Sequence, residues 1–171
     1  ENGCAQVLFL DSENGNRNEE LGGMNFFLVK SDGTLVTPEI NGSILEGVTR
    51  DSIITLAKAR GIPGEGRPVT VDGWRAGAGG GIRVGERPVT VDEWRAGVAD
   101  GSIVEAFACG TAAVVTPIAE LKSDEFTLTM PPVEDRVSMS LRQELTDIQY
   151  GRIPDVHGWL VRLDAGETTE A

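Results

Sequence analysis

Histidine, cysteine and aromatic residues are all scarce in this sequence of 171 residues. A single histidine and two cysteines, Cys4 and Cys109, rule out both a disulfide framework and a Cys/His metal cluster. Positive charge is also short: 15 Lys and Arg stand against 27 Asp and Glu, a net charge of −12. A protein that tracks a phosphate backbone needs a clustered basic face, so nucleic acid is not an expected partner. No apolar run approaches the roughly 18 residues of a membrane span, and no cationic-then-apolar leader opens the chain. What remains, at 40% hydrophobic and 25% charged residues, can bury a core. An acidic, cytoplasmic globular domain is expected, and the start at Glu1 suggests a chain that begins inside a longer product.

Glycine is plentiful instead, at 22 residues, and ten of these fall between Gly61 and Asp100. That stretch is a tandem repeat: residues 61–80 (GIPGEGRPVTVDGWRAGAGG) and 81–100 (GIRVGERPVTVDEWRAGVAD) share 12 of 20 aligned positions without a gap. The second copy is the better made, with a β-branched run at Val89-Thr90-Val91 and Asp92 as the expected cap of a short helix. The first copy has Gly73 where the second has Glu93, and it ends in a glycine run. The second copy is therefore expected to pack, with the first as an inserted loop; the opposite assignment stays open, because the first copy directly follows the helix expected at 49–60.

The remaining pattern alternates strands and helices. Residues 6–10 read as a short buried strand, and 25–30 and 34–37 as two strands joined at Ser31-Asp32-Gly33. Residues 49–60 read as a helix with Ile53, Leu56 and Ala57 on one face and Gly61 as its stop. Residues 103–108 read as a buried strand running into the turn Gly110-Thr111-Ala112. Residues 136–150 read as a helix with Val137, Leu141, Leu145 and Ile148 on one stripe, and 164–171 as a frayed tail. The fold class is α/β, bordering on α+β.

Three local features carry chemistry. Glu20 precedes a Gly22-Gly23 bend and an apolar strand, where backbone can approach a ligand closely. Gly47-Val48-Thr49 opens a helix, and its free amides and hydroxyl make an anion site. Thr111-Ala112 offers amides at the end of a buried strand. Each has an ordinary alternative: a strand-edge carboxylate, a plain helix start, a plain turn. Glu19 reads as solvated, Cys109 as a buried inert thiol, His157 as structural or exposed, and Trp159 as a core or interface anchor.

In their order and spacing these features resemble the class IV, pyridoxal-phosphate-dependent aminotransferases. Glu20, Gly22, Asn25, Phe26 and Phe27 satisfy the first part of the family motif, Leu35 and Thr37 the second, and Leu45, Gly47, Val48 and Arg50 the third. Within the class, Thr111-Ala112, the segment 145–151 (LTDIQYG) and Gly158-Trp159-Leu160 look most like the branched-chain amino acid aminotransferases. The resemblance implies the large C-terminal domain of fold type IV, a pseudo-barrel of mixed strands flanked by helices, in a homodimer. Its cofactor would be pyridoxal 5'-phosphate, with Glu20 at the pyridine nitrogen and Gly47, Val48, Thr49 and Thr111 around the phosphate. Thr111 and Ala112 would receive the substrate carboxylate. The reaction implied is amino-group transfer from leucine, isoleucine or valine to 2-oxoglutarate.

Two departures stand out. The family's Schiff-base lysine lies upstream of its counterpart of Glu20, whereas the lysines here, Lys30, Lys58 and Lys122, are all downstream. Glu46 also stands where the family commonly has proline, a carboxylate next to a phosphate turn. The resemblance therefore implies a single domain, 1–171, incomplete at its N-terminus and inactive alone. The alternatives are a non-catalytic cofactor-binding or dimerisation half-domain, or another class IV activity (D-amino acid aminotransferase, aminodeoxychorismate lyase).

Overall fold

A computed structural model describes residues 3–13, 15–60, 82–133 and 136–163. The first repeat copy, the expected helix stop at Gly61 and the 164–171 tail lie outside the described residues. Among the described residues nine strands and three helices are formed: β1 (Leu8–Leu10), β2 (Asn18–Leu21), β3 (Asn25–Lys30), β4 (Leu35–Thr37), α1 (Val48–Ala59), β5 (Val84–Glu86), α2 (Val91–Ala99), β6 (Ile103–Gly110), β7 (Val114–Pro117), β8 (Glu120–Lys122), β9 (Thr127–Thr129) and α3 (Val137–Gln149). The fold is mixed α/β. A five-stranded sheet runs in the order β5-β4-β3-β6-β7, antiparallel except for the parallel β4–β5 pair. The β1–β2 and β8–β9 pairs form two further small sheets, so these strands make no single closed barrel.

The central strand shows why the sheet is buried on both sides. Successive side chains of a strand point to opposite faces. Phe27 and Val29 enter a cluster with Ile53, Leu56 and Ala57 of α1 and Leu141, Leu145 and Ile148 of α3. Phe26 and Leu28 enter the other cluster, with Val89 and Trp94 of the second repeat copy and Met130 after β9. Both expected helical stripes thus pack on one face, and the second repeat copy packs on the other. Trp94 is fully buried, stacked on Phe26 with ring centroids 5.7 Å apart, and its Nε1 donates to the Met130 sulfur at 3.3 Å.

Two local expectations are corrected. Residues 6–10 do not form a buried strand: only Leu8–Leu10 is extended, as one strand of the β1–β2 pair, and Phe9 is 52% exposed. The short helix of the second copy is capped by Thr90, whose Oγ1 accepts from the Glu93 amide at 3.0 Å, while Asp92 lies inside the first turn. Thr90 wins because it keeps extended backbone, which places its hydroxyl over the third helical amide.

Cys109 is buried on β6, and burial pushes its thiol up to about 12, with nearby Arg50 partly offsetting this. A thiol held protonated is a poor nucleophile. Glu105, on the same strand, is only 1% exposed and was not singled out in the sequence. Its carboxylate accepts from the Val137 amide at 2.9 Å, the Ser138 amide at 3.3 Å and the Ser138 hydroxyl, capping α3 from across the core. Burial raises its pKa, outweighing these donors and Arg136. The folded state then holds the proton more tightly than the unfolded chain. The stability this contributes is complete below the ordinary carboxylate range and is lost as pH rises through the raised value. Glu105→Gln is expected to flatten that fall, measured as urea midpoints of both proteins from pH 4 to about pH 8.

Candidate functional site

The Gly-Gly bend is a two-residue hairpin turn. Leu21 and Met24 exchange both backbone bonds, at 2.8 and 2.7 Å, across Gly22 (φ 49°) and Gly23 (φ 92°). Two consecutive positive φ values define the turn whose twist matches a hairpin, and only glycine adopts both cheaply. The turn brings Glu20 at the end of β2 alongside Asn25 at the start of β3. These two side chains then hold the two backbone groups of one residue: the Leu45 amide donates to Glu20 Oε2 at 3.4 Å, and Asn25 Nδ2 donates to the Leu45 carbonyl at 2.8 Å.

Leu45 lies two residues before the helix start. Gly47 is the N-cap of α1, with extended backbone and no side-chain cap bond, so the first-turn amides are left without a protein acceptor from a cap. Gly47 also presses against Asn25: a Cβ at this position would run into the Asn25 Oδ1. Its φ of −69° suits any residue, so packing rather than backbone freedom demands glycine here. Gly47→Ala is expected to push the Asn25 side chain off Leu45 and to cost about 1–2 kcal/mol, the range for a broken buried hydrogen bond, read from thermal melts.

The third feature reaches the same end of the sheet through strand pairing. Asn25 pairs with Cys109, and Gly110 packs against Met24. Thr111 and Ala112 are exposed in the turn that follows. That turn is closed by Val114 at φ 58°, a left-handed conformation unusual for a β-branched residue. Glu20, Gly47–Thr49 and Gly110–Ala112 are thus gathered around Asn25. Glu20 and Thr49 are half-buried and Val48 is 81% exposed, so the group opens outward.

Several neighbours were not foreseen. Glu19 is not free in solvent: the Ser43 hydroxyl donates to its Oε1 at 2.6 Å and ties the 41–47 loop to β2. Asn25 was visible as a motif residue, but its role as the hub was not. Arg50 is 6% exposed, and its Nη2 donates to the Pro38 carbonyl and to Glu86 Oε2, both at 2.9 Å. Glu46 is exposed, where solvent screens it. His157 stacks on Trp159 with centroids 4.5 Å apart, and Trp159 packs against the core cluster that α1 and β6 share.

The lysines sit elsewhere. Lys30 ends the strand that Asn25 begins, roughly 16 Å along it, and Lys58 lies about 15 Å along the helix that Gly47 begins. Lys122 pairs with Glu120 on β8 at 3.0 Å. A cavity of about 470 Å³ between α2 and the β8–β9 pair, lined by Arg95 and Phe126 among others, shares no residue with the cluster. Among the described residues no helix is long and apolar enough to cross a membrane, and no group of three or more His, Cys, Asp or Glu is arranged to hold a metal.

A family profile described as amino-transferase class IV matches residues 1–121. The chain belongs to the class IV aminotransferases. It is 43% identical over 168 residues to the branched-chain-amino-acid aminotransferase of Mycobacterium tuberculosis, covering 95% of this chain and 40% of that protein. It is similar in structure to the Escherichia coli branched-chain amino acid aminotransferase, with a TM-score of 0.64, 28% identity and coverage of 95% of this chain and 44% of that one. The Thermobaculum terrenum branched-chain amino acid aminotransferase in its PLP-form aligns with a TM-score of 0.60 and 29% identity, over 89% of this chain and 39% of that one. The chain thus spans about two-fifths of the length of the curated relatives it matches.

Proposed function

We propose that this class IV chain is the C-terminal part of a branched-chain aminotransferase, an enzyme that moves the amino group of leucine, isoleucine or valine to 2-oxoglutarate. The observation that supports this reading best is the grip of Glu20 and Asn25 on Leu45, which sets a carboxylate beside an uncapped helix start. A carboxylate and an anion site side by side suit a ligand with a basic ring at one end and a phosphate at the other. Pyridoxal 5'-phosphate is that ligand in this proposal, and when bound it supplies the electron sink for charge at the substrate α-carbon.

The chain's own residues then have distinct tasks. Glu20 holds a proton on the ring nitrogen, since a neighbouring negative charge favours the protonated form. The amides of Val48 and Thr49, the Thr49 hydroxyl and Thr111 bind the phosphate at the positive end of α1. The amides of Thr111 and Ala112 receive the substrate carboxylate. Cytoplasmic location and a homodimer belong to the same proposal. None of the residues gathered around Asn25 is a lysine, so this reading requires a Schiff-base lysine from outside that cluster.

That position of the lysines favours a second reading, a half-domain that binds the cofactor without chemistry. Titration of the chain with pyridoxal 5'-phosphate and with pyridoxal, followed by fluorescence, tests the shared part. The phosphate ester should bind at least about tenfold more tightly. A folded chain that binds neither compound removes both readings. Joining the chain to a lysine-bearing N-terminal segment separates them: transfer from leucine supports the enzyme, and no transfer by a folded, cofactor-loaded protein supports the half-domain. Preference for D-alanine, or cleavage of aminodeoxychorismate, would move the protein to another branch of the class.

A further inference from the structure

We infer that Arg50 and Glu86 form a clamp that positions the helix start Gly47–Thr49 for an anionic ligand, and that only the second repeat copy can supply it. The inference rests on the phosphate reading of that turn. Within α1 the Ser52 hydroxyl donates to the Val48 carbonyl at 2.9 Å, but Gly47 lends no side chain to the first-turn amides. Two outside contacts hold this turn in place. On one side Asn25 holds Leu45 and packs on Gly47. On the other, the buried Arg50 guanidinium donates to the carbonyl of Pro38, just after β4, and to Glu86 at the end of β5. Thr37 and Glu86 are partners in the parallel β4–β5 pair, so both acceptors are carried by one rigid sheet edge.

Glu86 also lies 3.8 Å from Lys58 Nζ in the last turn, so one carboxylate faces both ends of α1. Removing it leaves Arg50 buried beside a single carbonyl, with its Nε already without a partner. An uncompensated buried charge is costly, and the helix start is the part free to shift.

The duplication makes the assignment specific. Aligned without gaps, Glu86 corresponds to Gly66, and Glu93, which pairs with Arg87 here, corresponds to Gly73. The first copy keeps the counterparts of Arg87 and Arg95 but lacks both of these carboxylates; its own Glu65 stands one position earlier, aligned with Gly85. Arg50 lies outside the repeat and precedes both copies, so its need for a counter-ion selects between them.

Arg50 and Glu86 act here as positioning residues. Glu86→Gln should weaken pyridoxal 5'-phosphate binding by about tenfold while leaving pyridoxal, which lacks the phosphate, unchanged. Glu86→Asp should recover part of the loss. In parallel, amide hydrogen exchange at residues 47–50 should speed up in Glu86→Gln, with α3 unchanged. A folded Glu86→Gln protein with wild-type affinity for both ligands, or with equal losses for both, overturns the clamp. If the wild-type chain binds neither compound the functional reading fails by itself, and unaltered exchange at 47–50 would then overturn the clamp separately.

Discussion

Glu20→Ala, in the chain joined to its lysine-bearing segment, is expected to lower kcat for leucine by about 10³-fold, the scale for losing one preorganised electrostatic partner at a reacting group. Glu20→Gln should fall nearly as far, because an amide carries no charge with which to keep a ring nitrogen protonated. Glu20→Asp should lie between, its carboxylate drawn back by one methylene. Stability should change little, by less than about 0.5 kcal/mol, since among the described residues the half-buried carboxylate takes one long bond, from the Leu45 amide at 3.4 Å. Steady-state kinetics and a melt on the same preparations measure both. A folded Glu20→Gln protein within threefold of wild type would take Glu20 out of this role, whatever the fate of the phosphate turn.

The second large effect is on the fold. Trp94→Ala is expected to cost about 3–5 kcal/mol, the range for deleting a large aromatic from a closed core. Trp94 is fully buried against Phe26, and Phe26 follows Asn25 on the central strand. The hole would therefore open directly beneath the hub of the site. For a domain of ordinary stability, roughly 5–15 kcal/mol in total, that loss removes a large share. Trp94→Phe, which keeps a ring on Phe26 but loses the donation to Met130, should recover more than half of it. Denaturant unfolding gives both values. A cost below about 1 kcal/mol for Trp94→Ala would mean that the second repeat copy does not anchor this face of the sheet.

Much of the architecture was readable beforehand because it depends on periodicity. Val137, Leu141, Leu145 and Ile148 fall on one helical stripe, and all four are buried where α3 meets the sheet. Phe26 to Val29 is an unbroken apolar run, as expected of a strand covered on both faces. The exposed β1 was misjudged for the same reason: four apolar residues in a row, Val7 to Leu10, look buried, and only the lack of a covering layer makes Phe9 an exposed side chain.

The candidate site divides in the same way. Glu20, Gly47, Thr49 and Thr111 were all named from local spacing, since turns and helix starts are local events. The partners that hold them in place come from far along the chain: Asn25 on Leu45 across 20 residues, Arg50 on Glu86 across 36, Glu105 on Ser138 across 33. No window of sequence contains such pairs.

Taken by itself, then, the sequence determined the strongly patterned segments, which are β3, β4, β6 and the three helices, and which residue types stand at each turn, because these follow from the chemistry of near neighbours; the short strands β2, β5, β7, β8 and β9 were not legible in it. Only the tertiary structure decided which turns share one end of the sheet, which repeat copy supplies the counter-ion for Arg50, and which carboxylates are buried. Those outcomes depend on strand register and burial, and both are fixed when distant segments compete for the same core.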